Sequence, residues 1–482
     1  VAVGFPTPAA MPDGGRGLRR GTPIDDDDGV NRSARRDGVP TAVQPDTSPD
    51  AVVVVPGIMG SELVDAEHGR QLWGLSEPGW YVRAWTRPAS LDALGVTGRE
   101  RDGHVGRVRP VGLLRAPAFA PVLRGAEPYT ALLSAVSRVV RHPDAVMSFP
   151  YDWRLPVAHT GPLLAQAAEQ HLYRWRRHRA GSAGARLVVV AHSMGGLLSR
   201  HAVAHLGEQV RAVVTLGTPF AGSPKAAVMM SVGRGAPLPL PYRQLRDLCR
   251  TMPAMYDLLP AFPCVHRGED VTMLTRADVE GFGADGDLFA QAVVGRREVG
   301  EIPAGQVRTV IGVAQPTVQG LAVAEGLAQP LFVTALRSGG GVGFADRRGD
   351  ATVSREAAGV PGVPATYLAQ SHGALPRAPE AIQHVCAVIT ETTLGQPLGP
   401  LGPGVDVPEI VTVGEPFSIT LTEPHPGASC RIVDTASGRP VAHPVMRGGS
   451  GVSVLSGPGL FRVEVKAGGS DTVTQLLLAV VP

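Results

Sequence analysis

The chain has 482 residues, 44% of them hydrophobic and 18% charged, with a formal net charge of +2. That length and apolar content support a large core with one or two smaller units beside it, and so small a charge excludes nucleic-acid binding as the main role. No apolar run nears the ~18 residues of a membrane-spanning helix, and the four cysteines (Cys249, Cys264, Cys386, Cys430) lack metal-ligand spacing.

Residues 1–48 are poor in aromatics and rich in Gly, Pro, Arg and Asp, with an acidic run from Asp25 to Asp28. They are expected to be a disordered leader. They lack a basic start followed by an apolar core, so no signal peptide is expected and a cytoplasmic setting with reduced thiols is the default. Export by another route would allow Cys249 and Cys264 to pair. Val52–Val55 reads as a buried strand running into Pro56-Gly57-Ile58-Met59-Gly60-Ser61, a Gly-rich turn. Residues 64–125 show weak periodicity but hold Trp73, Trp80, Tyr81 and Trp85. This stretch is either a lid that meets lipid surfaces or an aromatic satellite core.

Leu132, Leu133, Val136, Val139 and Val140 form one helical stripe, and Leu163, Leu164, Ala167, Leu172 and Trp175 another. Between them Ala145–Phe149 reads as a strand ending in Pro150-Tyr151-Asp152-Trp153-Arg154. The β-branched run Leu187–Val190 leads into Ala191-His192-Ser193-Met194-Gly195, and then into a helix marked by Leu197, Leu198, Ala202, Val203 and Leu206. A serine at the apex of a strand-turn-helix is a nucleophile elbow, the G-x-S-x-G pattern with Ala191 in its first glycine position. The turn exposes the Ser193 hydroxyl and aims the next amide, that of Met194, at a developing oxyanion. His192 reads as a packed neighbour, not a second base.

Val210–Leu216 is a further strand, and the alternation implies a parallel sheet covered on both faces. It stops at about Pro224; residues 224–303 read as a helical, Pro-rich cap. Strands resume at Val307–Val313 and end at Thr366–Ala369, and a helix from Pro379 to about Thr390 closes a domain spanning 49–395. Residues 396–404 are a Pro/Gly linker, and the short alternating strands of 405–482 predict a small, immunoglobulin-like β-sandwich.

A serine nucleophile needs a base, and the base needs a carboxylate to orient it. His372, in a loop directly after the final strand, sits where the base belongs. Asp350 is the best candidate for the acid, with Asp346 and Glu356 as rivals. In α/β-hydrolases these residues follow in the order Ser, acid, His, and the turn after the first strand supplies a second oxyanion amide.

The ordered set VVVVPGIMGSEL, FPYDWRLP, VVVAHSMGGLLSR, LGTPFAGSPKA, MYDLLP, GDATVS and SHG, from Val52 to Gly373, resembles the lecithin:cholesterol acyltransferase and lysosomal phospholipase A family. The resemblance implies an α/β-hydrolase with an inserted cap carrying the acyl-chain track. It implies a triad of Ser193, Asp350 and His372, and oxyanion amides at Ile58 and Met194. The expected activity is cleavage of a carboxylic, lipid-like ester through an acyl-serine, with an O-acyltransferase as the alternative and a weakly catalytic binding module as another. No metal or organic cofactor is expected; the expected partners are an acyl-ester substrate and a lipid surface touched peripherally, with Arg347 and Arg348 as candidate contacts for anionic head groups. The chain departs from the family in having no cysteine before Cys249 and in carrying Ala351 where the acid loop G-D-G-T-V has its second glycine.

Overall fold

The computed structural model describes residues 47–74, 91–114, 129–235, 240–268, 270–338, 341–392, 402–468 and 472–481. Trp80, Tyr81 and Trp85, nearly all of the expected leader and most of the expected linker lie outside them. Six strands make one wholly parallel sheet: β1 (Ala51–Val55), β2 (Val146–Ser148), β3 (Leu187–His192), β4 (Val210–Leu216), β5 (Val307–Gly312) and β6 (Ala365–Leu368), ordered β2-β1-β3-β4-β5-β6. β1 is apolar along its whole length and β3 as far as Ala191 because neither face meets water; Val52, Val53, Val188 and Val189 are all fully buried. The helices α1 (Thr130–Arg138), α2 (Val157–Arg176), α3 (Met194–Leu206), α4 (Pro224–Val232), α5 (Pro253–Asp257) and α6 (Pro379–Thr390) belong to this part of the chain. α2 and α3 pack on each other, and α1 packs on α6.

The strand order decides where a ligand can lie. From β1 the chain crosses to one edge, β2, while from β3 it steps toward the other. The segments leaving the carboxyl ends of β1 and β3 therefore diverge and open a crevice, the general ligand position in open α/β sheets.

Of the two readings of the aromatic stretch, lid or satellite core, Trp73 fits the core. Ser61–Asp65, Gln71–Trp73 and Val108–Leu113 form a three-stranded antiparallel sheet. Trp73 is 1% exposed, meets Trp153 edge-on at 5.3 Å and donates its Nε1–H to the Met59 carbonyl at 2.8 Å. A ring so enclosed, with its one polar atom satisfied, is a core residue and does not touch a lipid surface.

Arg154 is fully buried because two carboxylates surround it. It donates to Asp152 Oδ2 at 2.7 Å and to Glu100 Oε1 at 2.8 Å, which ties the helix Gly98–Arg101 to the segment after β2. Burial acts to raise the Glu100 carboxyl, but the Thr97 amide, Arg154 and Arg107 outweigh it and hold it at about 2. A carboxyl depressed in the fold stabilises above its unfolded pKa, and that stability fades as pH falls from the ordinary carboxylate range toward about 2. Arg154→Met leaves Asp152 without its guanidinium and Glu100 with Arg107 alone; urea unfolding at neutral pH should show a loss of about 3 kcal/mol. A loss under about 1 kcal/mol would mean that water reaches this cluster.

The expected cap region contains α4, α5 and further helices, but also the strands Val265–Arg267 and Asp270–Thr272. These join Gly320–Ala324 and Leu327–Leu331 in a four-stranded sheet. Cys249 and Cys264 are free and buried, and burial pushes both thiols up to about 12, which makes them poor nucleophiles. No helix among the described residues is long and apolar enough to cross a membrane.

The C-terminal strands are β7 (Val405–Asp406), β8 (Ile410–Thr412), β9 (Phe417–Leu421), β10 (Ser429–Asp434), β11 (Pro440–Ala442), β12 (Ser450–Ser453), β13 (Gly459–Lys466) and β14 (Val473–Val480). They form one sheet ordered β7-β9-β12 and another ordered β8-β14-β13-β10-β11. Val405, Ile419, Ile432, Val463 and Leu477 from the two sheets share one apolar core. β8 pairs with β14 in parallel, so the larger sheet is mixed.

Candidate active site

Ser193 stands between β3 and α3 with φ 52° and ψ −126°, a conformation that costs a non-glycine residue about 1–3 kcal/mol and persists only where its surroundings over-determine it. Here they do. The Ser193 amide donates to the Leu216 carbonyl at 2.9 Å, and its own carbonyl accepts from Thr218 Oγ1 at 3.0 Å. The turn is also sterically closed. A Cβ on Gly195 would lie 2.6 Å from the Pro56 carbonyl oxygen, and one on Gly57 would lie 2.8 Å from the Ser193 Cβ. Small residues at these positions are what allow the β1 loop and the elbow to touch.

His372 opens the turn after β6. Its Nε2 lies 2.8 Å from Ser193 Oγ, and its Nδ1 lies 2.6 Å from Asp350 Oδ2. A carboxylate can only accept, so Nδ1 carries the proton and Nε2 is left to accept the serine hydroxyl. Asp350, 1% exposed, is held through its other oxygen, which accepts the Thr352 and Val353 amides at 3.0 and 2.7 Å. The two loops are joined directly as well, by the His372 amide donating to the Asp350 carbonyl at 2.7 Å. Gly217 makes room for the pair, since a Cβ there would meet Asp350 Oδ2 at 2.8 Å and His372 Nδ1 at 3.0 Å.

Of the three candidate acids, Asp350 is the one brought to the imidazole. Asp346 accepts from Gln319 Nε2 at 2.8 Å and from the Arg348 amide at 2.9 Å, and Glu356 is exposed, 3.8 Å from Arg347 Nε. Arg348 is engaged by Glu423 Oε1 at 2.9 Å and by the Thr422 carbonyl at 3.1 Å, so neither arginine of the expected head-group pair stands without a counter-charge. Ala351 has a φ of 72°, the left-handed region that glycine enters freely. Its amide is held by Thr317 Oγ1 at 3.0 Å and its carbonyl by Lys225 Nζ at 3.0 Å. Two bonds thus hold alanine where the related motif has glycine.

Of the two residues expected to supply oxyanion amides, Met194 follows Ser193 directly and Ile58 lines the same cavity as Ser193. Met194 is the first residue of α3, so its N–H has no acceptor within the helix. Ile58 occupies a turn closed by the Gly60 amide on the Gly57 carbonyl at 3.0 Å, with Met59 at a φ of 62°; this is the type II arrangement, which leaves the Ile58 amide out of the turn's own bond. Partners from distant segments pin that turn. Tyr151 Oη donates to the Pro56 carbonyl at 3.0 Å, Trp153 Nε1 to the Ser61 carbonyl at 3.0 Å, and Ser61 Oγ accepts the Tyr151 amide at 3.1 Å. The FPYDWRLP stretch, read from the sequence as a strand end and for its resemblance, buttresses the Pro56–Ser61 turn.

His192 was also undervalued. Its Nε2 lies 3.1 Å from the His372 carbonyl and its Nδ1 lies 2.9 Å from Tyr129 Oη. The carbonyl must accept, so Nε2 carries the proton and Nδ1 accepts from the Tyr129 hydroxyl, which in turn accepts the Gly57 amide at 3.0 Å. One neutral imidazole therefore links the His372 loop to the turn after β1. Burial, with the neighbouring His372 ring, holds its pKa well below the ordinary histidine value.

A cavity of about 220 Å³ opens onto Ser193 and His372. Its walls are largely apolar and include Ile58, Trp73, Leu114, Met229, Met255 and Leu258. Met229 lies on α4 and Met255 on α5, inside the stretch read as a cap. Histidine and carboxylate groups converge elsewhere at His142, Asp144 and His178. Both imidazoles there accept backbone amides through Nδ1, at 3.2 Å each.

Residues 119–279 match the family described as Lecithin:cholesterol acyltransferase. No curated protein matches the chain. Among solved structures, the Tle4–Tli4 complex is similar at 14% identity over 72% of this chain and 99% of that one, with a TM-score of 0.50. The mature form of the Bacillus licheniformis lipase BlEst2 is similar at 14% identity over 72% and 95%, with a TM-score of 0.32. At these identities the likeness is one of fold. The chain resembles the lecithin:cholesterol acyltransferase family and has an α/β-hydrolase fold carrying additional C-terminal sheets.

Proposed function

We propose that this protein is a serine hydrolase that cleaves carboxylic esters of acyl chains, lipid esters above all, through an acyl-Ser193 intermediate. The observation that carries the reading is the unbroken relay from Asp350 through His372 to Ser193 at the mouth of an apolar cavity. As Ser193 Oγ attacks the ester carbonyl, its proton passes to His372 Nε2, and Asp350 stabilises the imidazolium. The carbonyl oxygen becomes an oxyanion, received by the Ile58 and Met194 amides. The tetrahedral intermediate collapses as His372 returns the proton to the leaving alkoxide. Water, activated by the same imidazole, then releases the acid and regenerates Ser193. An alcohol in place of water makes the reaction an O-acyl transfer, a second reading favoured by the family that residues 119–279 match.

The test pairs labelling with turnover. A fluorophosphonate probe should modify Ser193, and p-nitrophenyl esters of increasing chain length, with phospholipid vesicles beside them, should be hydrolysed. Adding an alcohol separates the two acceptors by the appearance of a new ester. A protein that neither labels nor turns over any ester would be a binding module on a hydrolase scaffold.

The bridge through His192 yields a separate expectation. His192→Phe keeps an aromatic ring but severs both links, letting the base loop and the oxyanion turn drift apart. Displacements near 1 Å can cost about 10²-fold; kcat should fall about 10- to 100-fold with KM nearly unchanged. Unchanged kcat would show that the loops hold register without it.

A further inference from the structure

The catalytic cavity is not enclosed by the α/β unit alone. Glu409, in the connection between β7 and β8, and Thr474, Gln475 and Leu476 line it together with Ser193 and His372. Three of them are consecutive on β14 (Val473–Val480), whose pleat explains how one strand serves two cores. Val473, Leu477 and Ala479 alternate into the apolar core that the two C-terminal sheets share, so Thr474 and Leu476 project from the opposite face. Leu476 is half-buried and packs against the large core of the α/β unit.

The same strand holds the segment that presents the base. Ser371 Oγ donates to the Thr474 carbonyl at 2.8 Å, Gln370 Nε2 to the Thr472 carbonyl at 3.1 Å, and Arg377 Nη2 to Thr474 Oγ1 at 3.2 Å. The acid side is tied in parallel. Arg348 reaches Glu423 and the Thr422 carbonyl, and the Val405 amide donates to Gln315 Oε1 at 3.1 Å. With bonds on both sides of the triad, β14 has a fixed position relative to Ser193, which a wall must have to discriminate between substrates.

We propose that β14 is a substrate-contacting wall of the active site and that Leu476 is a specificity-determining residue for the acyl chain; this rests on the ester-hydrolase reading. An aliphatic side chain offers a substrate only volume and dispersion contact, so what it selects is chain length and bulk. Changing a pocket by a methylene alters discrimination by about 10- to 200-fold, and Leu476→Trp adds far more than that.

The experiment uses the full chain and p-nitrophenyl esters from acetate to palmitate. Leu476→Trp should lower the ratio of long-chain to acetate kcat/KM by at least about tenfold. Leu476→Ala should move the ratio the other way, toward longer or bulkier chains. Val452→Trp, at an exposed position on β12, should leave the profile alone. If Leu476→Trp proves insoluble, Leu476→Ala carries the test by itself. A chain-length profile unchanged in every soluble Leu476 variant, or one moved equally by Val452→Trp, overturns the proposal. Failure of the parent protein to label with a fluorophosphonate overturns the hydrolase reading instead, so the two failures are told apart.

Discussion

Ser193→Ala should yield a folded protein whose ester turnover is lower by about a millionfold, the loss that follows removal of the nucleophile from a serine protease. In the proposed mechanism the relay withdraws one proton from Ser193 Oγ, and alanine has none to withdraw. The fold should tolerate the change well. The strained backbone at 193 is held by the amide bond to Leu216 and by Thr218 on its carbonyl, neither of which involves the hydroxyl. The one lost interaction is that with His372 Nε2, on the cavity side. A thermal melt within a few degrees of the parent, beside p-nitrophenyl ester turnover at background, is the expected pair of results. Turnover within a hundredfold of the parent would require another nucleophile, and the acyl-serine mechanism would fall.

The elbow was legible because its physical demands are local. Four consecutive apolar residues from Leu187 to Val190 fit only a strand buried on both faces, and the sharp turn after them tolerates only small side chains at Ala191 and Gly195. Val52–Val55 followed by a glycine-rich turn was readable for the same reason. His372 was found by its place after the last strand, and the structure puts that strand at Ala365–Leu368, one residue earlier than expected. What the sequence concealed are contacts between distant segments. Trp73 could be read as surface or core because its partner Trp153 lies eighty residues on, and the pairing that buries it follows no periodicity. The strand Val265–Arg267 was hidden within a helical, Pro-rich stretch because it is only three residues long and one of its two partners, Gly320–Ala324, lies beyond that stretch. His192 reads as filler until its two bonds, 63 and 180 residues away in the chain, are seen. The lean of β14 on the base loop belongs to the same class; alternation revealed a sheet at the C-terminus but not what its outer face would meet.

Asp350→Asn should lower turnover by at least about 10², and the hydrogen bonds around the carboxyl argue for a loss nearer the 10⁴ seen when the same change is made in a serine-protease triad. An asparagine here is not free to choose its orientation. The position of Oδ1 receives two backbone amides, from Thr352 and Val353, and both require an acceptor. The amide oxygen must therefore stay there, which turns the NH₂ toward His372 Nδ1, where Oδ2 now accepts at 2.6 Å. Faced with a donor, Nδ1 gives up its proton and becomes the acceptor, so the remaining ring proton moves to Nε2. The nitrogen that faces Ser193 can then no longer take a proton from it. Because Asp350 is 1% exposed, water cannot relieve the conflict by inserting between the groups. The controls are Asp346→Asn and Glu356→Gln. Asp346 serves Gln319 and the Arg348 amide, and Glu356 sits exposed beside Arg347. Both variants should stay within a few-fold of the parent near neutral pH, measured on the same soluble ester. If either control loses more activity than Asp350→Asn, the imidazole is oriented by a different acid and the relay through Asp350 is not the working one.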